Sequence, residues 1–130
     1  MSQNLDLVRS IFADWQQGDF SSAEWAHPDI EWIIAREHPD ARTLIGRDAL
    51  TEYRREWQKT MPDLRLALDR LLDANDKVVT IGTAHGTDTG SGADVRVPLA
   101  FVFTLRDGLV ARAEEYLDPA EALKAVGLSG

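Results

Sequence analysis

Arg112, Glu114 and Tyr116 come nearest to chemistry in this chain by type and spacing. They recur at every second position in the run Leu109 to Leu117, which reads as a strand. All three therefore fall on one face, while Ala113, Glu115 and Leu117 take the other. A carboxylate two residues from a cation, with a phenol beyond it, is equipment for general acid–base work. If that face lines a cavity, Glu114 is the expected general base or polar anchor, and Arg112 orients it or steadies developing negative charge. Without a cavity the same residues make an ion pair at the edge of the core, with Tyr116 packed against it and its hydroxyl satisfied.

The aromatic residues supply the second candidate set. Trp15, Trp25, Trp32 and Trp57, with Tyr53, Phe101 and Phe103, are more than a small core usually needs, so some are expected to line a pocket for a flat apolar ligand. Trp15, Trp32, Tyr53, Trp57, Phe101, Phe103 and Tyr116 are the substrate-binding candidates. His27, His38 and His85 show no metal-ligand spacing, so no metal site is expected; His38, beside Arg36 and Glu37, is the one placed to approach a pocket mouth. Gly86 to Gly92 follows a strand but opens no helix, which makes it a hairpin tip and not a phosphate cradle.

These residues need elements to hold them. Val95 to Leu105 and Leu109 to Leu117 read as two strands, and Asp107-Gly108 between them supplies the positive φ angles of a tight hairpin. Asp118-Pro119-Ala120-Glu121 then opens a helix with an acceptor at the cap, proline at the first position and the glutamate of a capping box. At the other end, Leu5, Val8, Ile11, Phe12 and Trp15 recur at helical spacing, and Gly18 ends that helix. The sequence predicts a short helix from Ser21 to Ala26, a strand around Ile30, Trp32 and Ile34, and a polar loop over residues 36–46. A long helix from Arg47 to Met61 carries Leu50, Tyr53, Trp57 and Met61 on one stripe. Leu64, Leu66 and Leu68 alternate as a strand, and Asp73 to Asp76 turns the chain into another that begins at Lys77. Helices first and a meandering sheet after them define the α+β class.

Composition sets the bounds. The 130 residues suffice for one domain spanning 1–130, and 44% hydrophobic with 28% charged residues is ordinary for a globular chain. The absence of cysteine removes disulfides and thiolate chemistry. A net charge of −8 opposes binding to phosphate backbones and anionic membranes, so neither nucleic acid nor membrane is an expected partner. No apolar run reaches the length of a membrane span, and Met1-Ser2-Gln3-Asn4 lacks the regions of a signal peptide, which leaves the cytoplasm as the expected compartment.

Gly18-Asp19, His27-Pro28-Asp29-Ile30-Glu31-Trp32, Gly46-Arg47-Asp48-Ala49 and Leu105-Arg106-Asp107-Gly108, followed by Glu114, Tyr116 and Asp118, together resemble the SnoaL-like branch of the nuclear transport factor two-like superfamily. The resemblance covers nearly the whole chain. It implies a cone: a strongly curved antiparallel sheet wrapped around N-terminal helices, also known as a cystatin-like roll, with a pocket open at one end. The first strand and long helix of such folds contribute to the lumen, which favours Trp32 and Trp57. It also implies a homodimer paired across the open sheet faces, where Pro98, Ala100, Val102 and Ala113 are expected to need cover.

The family includes ketosteroid isomerases, polyketide cyclases, epoxide hydrolases, ligand binders and adaptors, so the fold leaves the activity open. The positions matching the ketosteroid isomerase base and oxyanion hole hold Ile34, Ile11 and Leu99 or Ala100, and Phe101 stands where related cyclases carry histidine. No set matching the Asp-Arg-Asp network of the epoxide hydrolases is found. What the resemblance implies is a pocket for a small apolar molecule. Either it catalyses acid–base chemistry without a cofactor, or the domain is a ligand carrier or dimeric adaptor.

Overall fold

The computed structural model describes residues 3–128. Its elements follow the order α1 (Gln3–Trp15), β1 (Ala26–Ile33), β2 (Thr43–Ile45), α2 (Arg47–Thr60), β3 (Arg65–Ala74), β4 (Lys77–Thr87), β5 (Asp94–Arg106), β6 (Leu109–Tyr116) and α3 (Pro119–Ala125). The six strands form one curved sheet in the order β2-β1-β6-β5-β4-β3. Every pairing is antiparallel except one. β1 runs parallel to β6, so the expected all-antiparallel sheet is in fact mixed at that junction.

Local chemistry explains most of these boundaries. Asp107 and Gly108 both have positive φ, 56° and 76°, and Arg106 pairs with Leu109 across them, as a two-residue hairpin requires. Asp118 accepts from the Ala120 N–H at 2.9 Å and Pro119 sits at the start of α3. The capping box is not completed. Glu121 instead accepts from Arg36 Nη2 at 2.8 Å, an ion pair that ties α3 to the chain just after β1. Gly82 has no room for a side chain, since a Cβ there would lie 2.0 Å from the Ala67 carbonyl oxygen at the β3 bulge.

Two expected elements differ. No helix forms over Ser21 to Ala26. Asp19 Oδ1 takes both the Ser21 N–H at 3.0 Å and its hydroxyl at 2.6 Å in a local turn, and Ala26 enters β1 at once. The segment is pinned from outside, because Arg54 of α2 donates to the carbonyls of Phe20 and Ser22. The loop over 36–46 contains the short strand β2, which pairs with β1 from Glu31 to Ile33. With a single buried residue, Leu44, it has no alternation to read.

Helices α1 and α2 pack on the concave face of the sheet and α3 on the convex face. The main core joins Val8, Ile11, Phe12 and Trp15 of α1 to Leu50 and Tyr53 of α2 and to Ile30, Trp32, Phe101, Phe103 and Ala113 of the sheet. A smaller core places Ala122 and Leu123 of α3 over Val79, Ala100 and Val102. Ala100 and Val102 thus receive their cover from α3 and Ala113 points into the main core, while Pro98 is exposed. The apolar positions from which pairing was inferred are, apart from Pro98, satisfied within one chain. Among the described residues, no helix is long and apolar enough to cross a membrane.

Candidate functional site

Between the helices and the concave face lies a cavity of about 280 Å³, open at one side. Trp15 and Phe20 come from α1 and the turn after it, Tyr53 and Trp57 from α2, Met61 from its C-cap, and Trp32, Leu66, Leu99 and Phe101 from the strands. The exposed Val97, with half-buried His38 and His85, marks the opening. The aromatic walls support each other: Trp32 lies 5.4 Å from Phe101 and 6.3 Å from Trp15 between ring centroids, and Trp57 stands perpendicular to Tyr53 at 6.3 Å. His38 packs edge-on against Trp57 at 5.3 Å, with its Nδ1 accepting the Asp40 N–H at 3.0 Å.

Among the described residues one carboxylate lines this lumen, and it is Glu115. Phe101 faces Glu115 across the β5–β6 pairing, Phe103 faces Ala113, and Trp32 pairs with Ala113 on the other side. Residues opposite one another share a face, so Ala113 and Glu115 point inward. Glu115 Oε2 accepts from Trp32 Nε1 at 2.6 Å and from the Tyr53 hydroxyl at 3.4 Å, while Oε1 accepts from the Ala35 N–H at 3.4 Å. Because β1 ends at Ile33, Glu115 has no strand partner on that side and also borders a groove on the convex face.

Burial pushes the Glu115 carboxyl above its ordinary range, against the hydrogen bonds from Trp32, Ala35 and Tyr53, which favour its charged form. Burial and the facing Glu115 also hold the Tyr53 phenol above its usual value. The rise at Glu115 has a consequence for stability. A group whose pKa is higher in the folded state contributes fully below its unfolded pKa, and that contribution is lost as pH rises through the folded value. Between about pH 4 and pH 8, which brackets the ordinary carboxylate value, the wild-type protein should therefore lose stability relative to Glu115→Gln. Urea unfolding of both proteins at the two pH values measures this; an unchanged difference would contradict the rise.

The face expected to line the cavity turns away from it. Arg112, Glu114 and Tyr116 lie on the convex side, where Tyr116 donates to Glu114 Oε2 at 3.0 Å and Arg112 Nε stands 3.7 Å from Glu114 Oε1. Burial, with Glu114 beside it, pushes the Tyr116 phenol up to about 12. Glu114 and Tyr116 line the convex groove with Ile33, Arg36 and Glu121. The half-exposed Arg112–Glu114 pair is worth about 0–1 kcal/mol at most. Of the aromatic candidates, Trp15, Trp32, Tyr53, Trp57 and Phe101 border the cavity; Phe103 is wholly buried behind Phe101, its ring stacked at 5.2 Å, and Trp25 is core.

Ala111 causes the inversion. Leu105 pairs with Val110 but Thr104 pairs with Arg112, so Ala111 is an extra residue bulged out of the hairpin. Without that bulge, counting back from Arg106 and Leu109 would set Glu114 opposite Phe101. A one-residue slip exchanges the faces of everything beyond it.

A sequence model of the SnoaL-like domain matches residues 8–113. The chain belongs to the SnoaL-like domain family. No curated protein matches it by sequence. Among solved structures, this SnoaL-like domain is similar to a nuclear transport factor two-like protein of unknown function from Burkholderia pseudomallei K96243. The two are 21% identical with a TM-score of 0.80, over 98% of this chain and 99% of that one. TerC, crystallised with polyporic acid, is 22% identical with a TM-score of 0.78, over 96% and 98% of the two chains. A candidate SnoaL-like polyketide cyclase from Jannaschia sp. CCS1 is 20% identical with a TM-score of 0.77, over 98% and 94%. At such identities the likeness is one of fold, and the cavity's chemistry rests on this chain's own residues.

Proposed function

We propose that this SnoaL-like domain holds a small, largely apolar molecule inside the cone and presents to it one half-buried carboxylate, Glu115, as a proton acceptor. The observation that carries this reading is the placement of Glu115 as the one carboxylate among the described residues that border an aromatic cavity. A carboxylate partly withdrawn from water is a stronger base, and donors at 2.6 to 3.4 Å hold it in place. TerC's crystallisation with polyporic acid supports a small-molecule role for folds of this shape. The adaptor alternative, in which the protein's own side chains fill the cone, is disfavoured by the open volume of about 280 Å³.

Occupancy is tested through the tryptophans. A neutral nitroaromatic such as 4-nitroanisole quenches indole on contact and should quench this protein saturably. Trp57 is only half-buried, so Trp57→Ala should fold and weaken binding by about five- to tenfold, the value of one aromatic contact of roughly 1 kcal/mol. Unchanged affinity in a folded Trp57→Ala protein would place the ligand outside the cone.

A further inference from the structure

Resting on that reading, we propose that the molecule the cone selects is a lipophilic amine in its ammonium form, with the N–H donated to Glu115 and the apolar portion held among the tryptophans. Each charged group bordering the cavity contributes to the argument. Arg54 directs its Nη1 to the carbonyls of Phe20 and Ser22 while its Nε is buried without a partner, and His85 Nε2 is held by Asp94 Oδ1 at 2.9 Å. In each of these one nitrogen is engaged within the protein, and His38 Nδ1 likewise accepts the Asp40 N–H at 3.0 Å. Glu115 is the reverse case, since its donors are an indole, a phenol and a backbone amide, all neutral, and among the described residues no cationic side chain pairs with it.

A half-buried carboxylate with neutral donors only is stabilised by a cation brought into the same site, because partial exclusion of water strengthens the pair. Oε1 carries only the long bond from Ala35, so a lone pair remains for a ligand N–H. The surroundings suit the remainder of an ammonium ion. Trp15, Trp32, Tyr53, Trp57 and Phe101 border the site, and aromatic rings attract cations as well as apolar groups. The net charge of −8 favours the approach of cations over anions to the protein as a whole.

Three probes of one shape and different charge decide the matter: 2-phenylethylammonium, 2-phenylethanol and phenylacetate, titrated into the intact protein by calorimetry. At neutral pH the ammonium should bind at least about tenfold more tightly than the alcohol, the combined value of a charge-assisted hydrogen bond and a cation–π contact, and phenylacetate should bind weakest. The preference should persist at high salt, where attraction to surface charge is screened. Glu115→Gln should weaken the ammonium about tenfold, to the level of the alcohol, whereas Glu115→Asp, which keeps the charge, should retain the ranking. The ranking on the unaltered protein decides even if a variant does not fold. Alcohol binding equal to or tighter than ammonium overturns the inference while leaving the pocket reading intact. So does a preference that vanishes with salt or survives Glu115→Gln. If none of the three binds, the pocket reading itself fails.

Discussion

Glu115→Gln is expected to lower proton abstraction inside the cone by about 10²- to 10⁴-fold, the usual contribution of a general base, while Glu114→Gln leaves it unchanged. The reaction can be followed with 5-nitrobenzisoxazole, a flat neutral molecule. A base removes the proton on its C3, the electrons of that C–H bond form the nitrile, and the N–O bond breaks to leave 2-cyano-4-nitrophenolate, which is coloured. No oxidant, metal or cofactor takes part. The two substitutions are chemically identical and adjacent in sequence, yet the register separates them: Glu115 faces Phe101 and the lumen, and Glu114 faces Val102 and the convex groove. Glutamine keeps the shape and can still accept from Trp32 Nε1, but it cannot take the proton. The wild-type rate should also rise with pH through a midpoint above the ordinary carboxylate value, following the ionisation of Glu115. Equal losses in both variants, or a loss confined to Glu114→Gln, would contradict the assignment.

Phe12→Ala is expected to cost about 3–5 kcal/mol of folding stability. Phe12 is 2% exposed, and its ring meets Trp15 at 5.0 Å, Phe101 at 6.2 Å and Phe103 at 6.4 Å, each edge to face. Its removal takes apolar surface from the core and leaves a void between α1 and β5 that a rigid aromatic cluster cannot collapse to fill. The consequence reaches the site. Trp15 and Phe101 border the cavity and rest on Phe12 from behind, so a folded Phe12→Ala protein should bind 4-nitroanisole more weakly although Phe12 does not line the cavity. Urea unfolding measures the stability loss, and a cost below about 1 kcal/mol would show that the cluster repacks freely.

Much of this architecture was legible in the sequence because local chemistry and tertiary packing agree there. Val8, Ile11, Phe12 and Trp15 fall on one helical stripe and are the buried face of α1. Asp107-Gly108 specifies a hairpin, and Asp118-Pro119 starts a helix whatever surrounds it. The less legible parts depend on distant partners. Asp19 and Ser21 carry helix-cap chemistry, but Arg54 from α2 claims the carbonyls of Phe20 and Ser22 and holds the segment in turns. Glu121 occupies the capping-box position, yet Arg36 from the loop after β1 offers a charged partner at 2.8 Å. The parallel β1–β6 pairing brings the two ends of the fold together and has no local signature.

The candidate site follows the same division. The aromatic set was visible as composition, and most of it borders the cavity because Trp32, Tyr53, Trp57 and Phe101 sit on faces that alternation and helical spacing could assign. The carboxylate was not assignable that way. Period-two alternation correctly separates Glu114 from Glu115, but which of them faces inward depends on whether Ala111 bulges, and that is a matter of how β5 and β6 settle against the helices. Ala100 and Val102 illustrate the same limit on the convex side. They are apolar in need of cover, as the sequence indicates, and α3 supplies the cover.

The central claim, that the inward carboxylate of β6 is Glu115 and that it meets a ligand in the aromatic cone, is tested most directly by a crystal structure of the protein soaked with 5-nitrobenzotriazole. This stable analogue of the nitrobenzisoxazole carries an N–H donor in place of the acidic C–H. The ring should lie among Trp32, Tyr53 and Trp57, with its N–H within hydrogen-bonding distance of a Glu115 carboxylate oxygen. A ring bound in the convex groove beside Glu114 and Tyr116, or one in the cone with its N–H directed away from Glu115, would contradict the account.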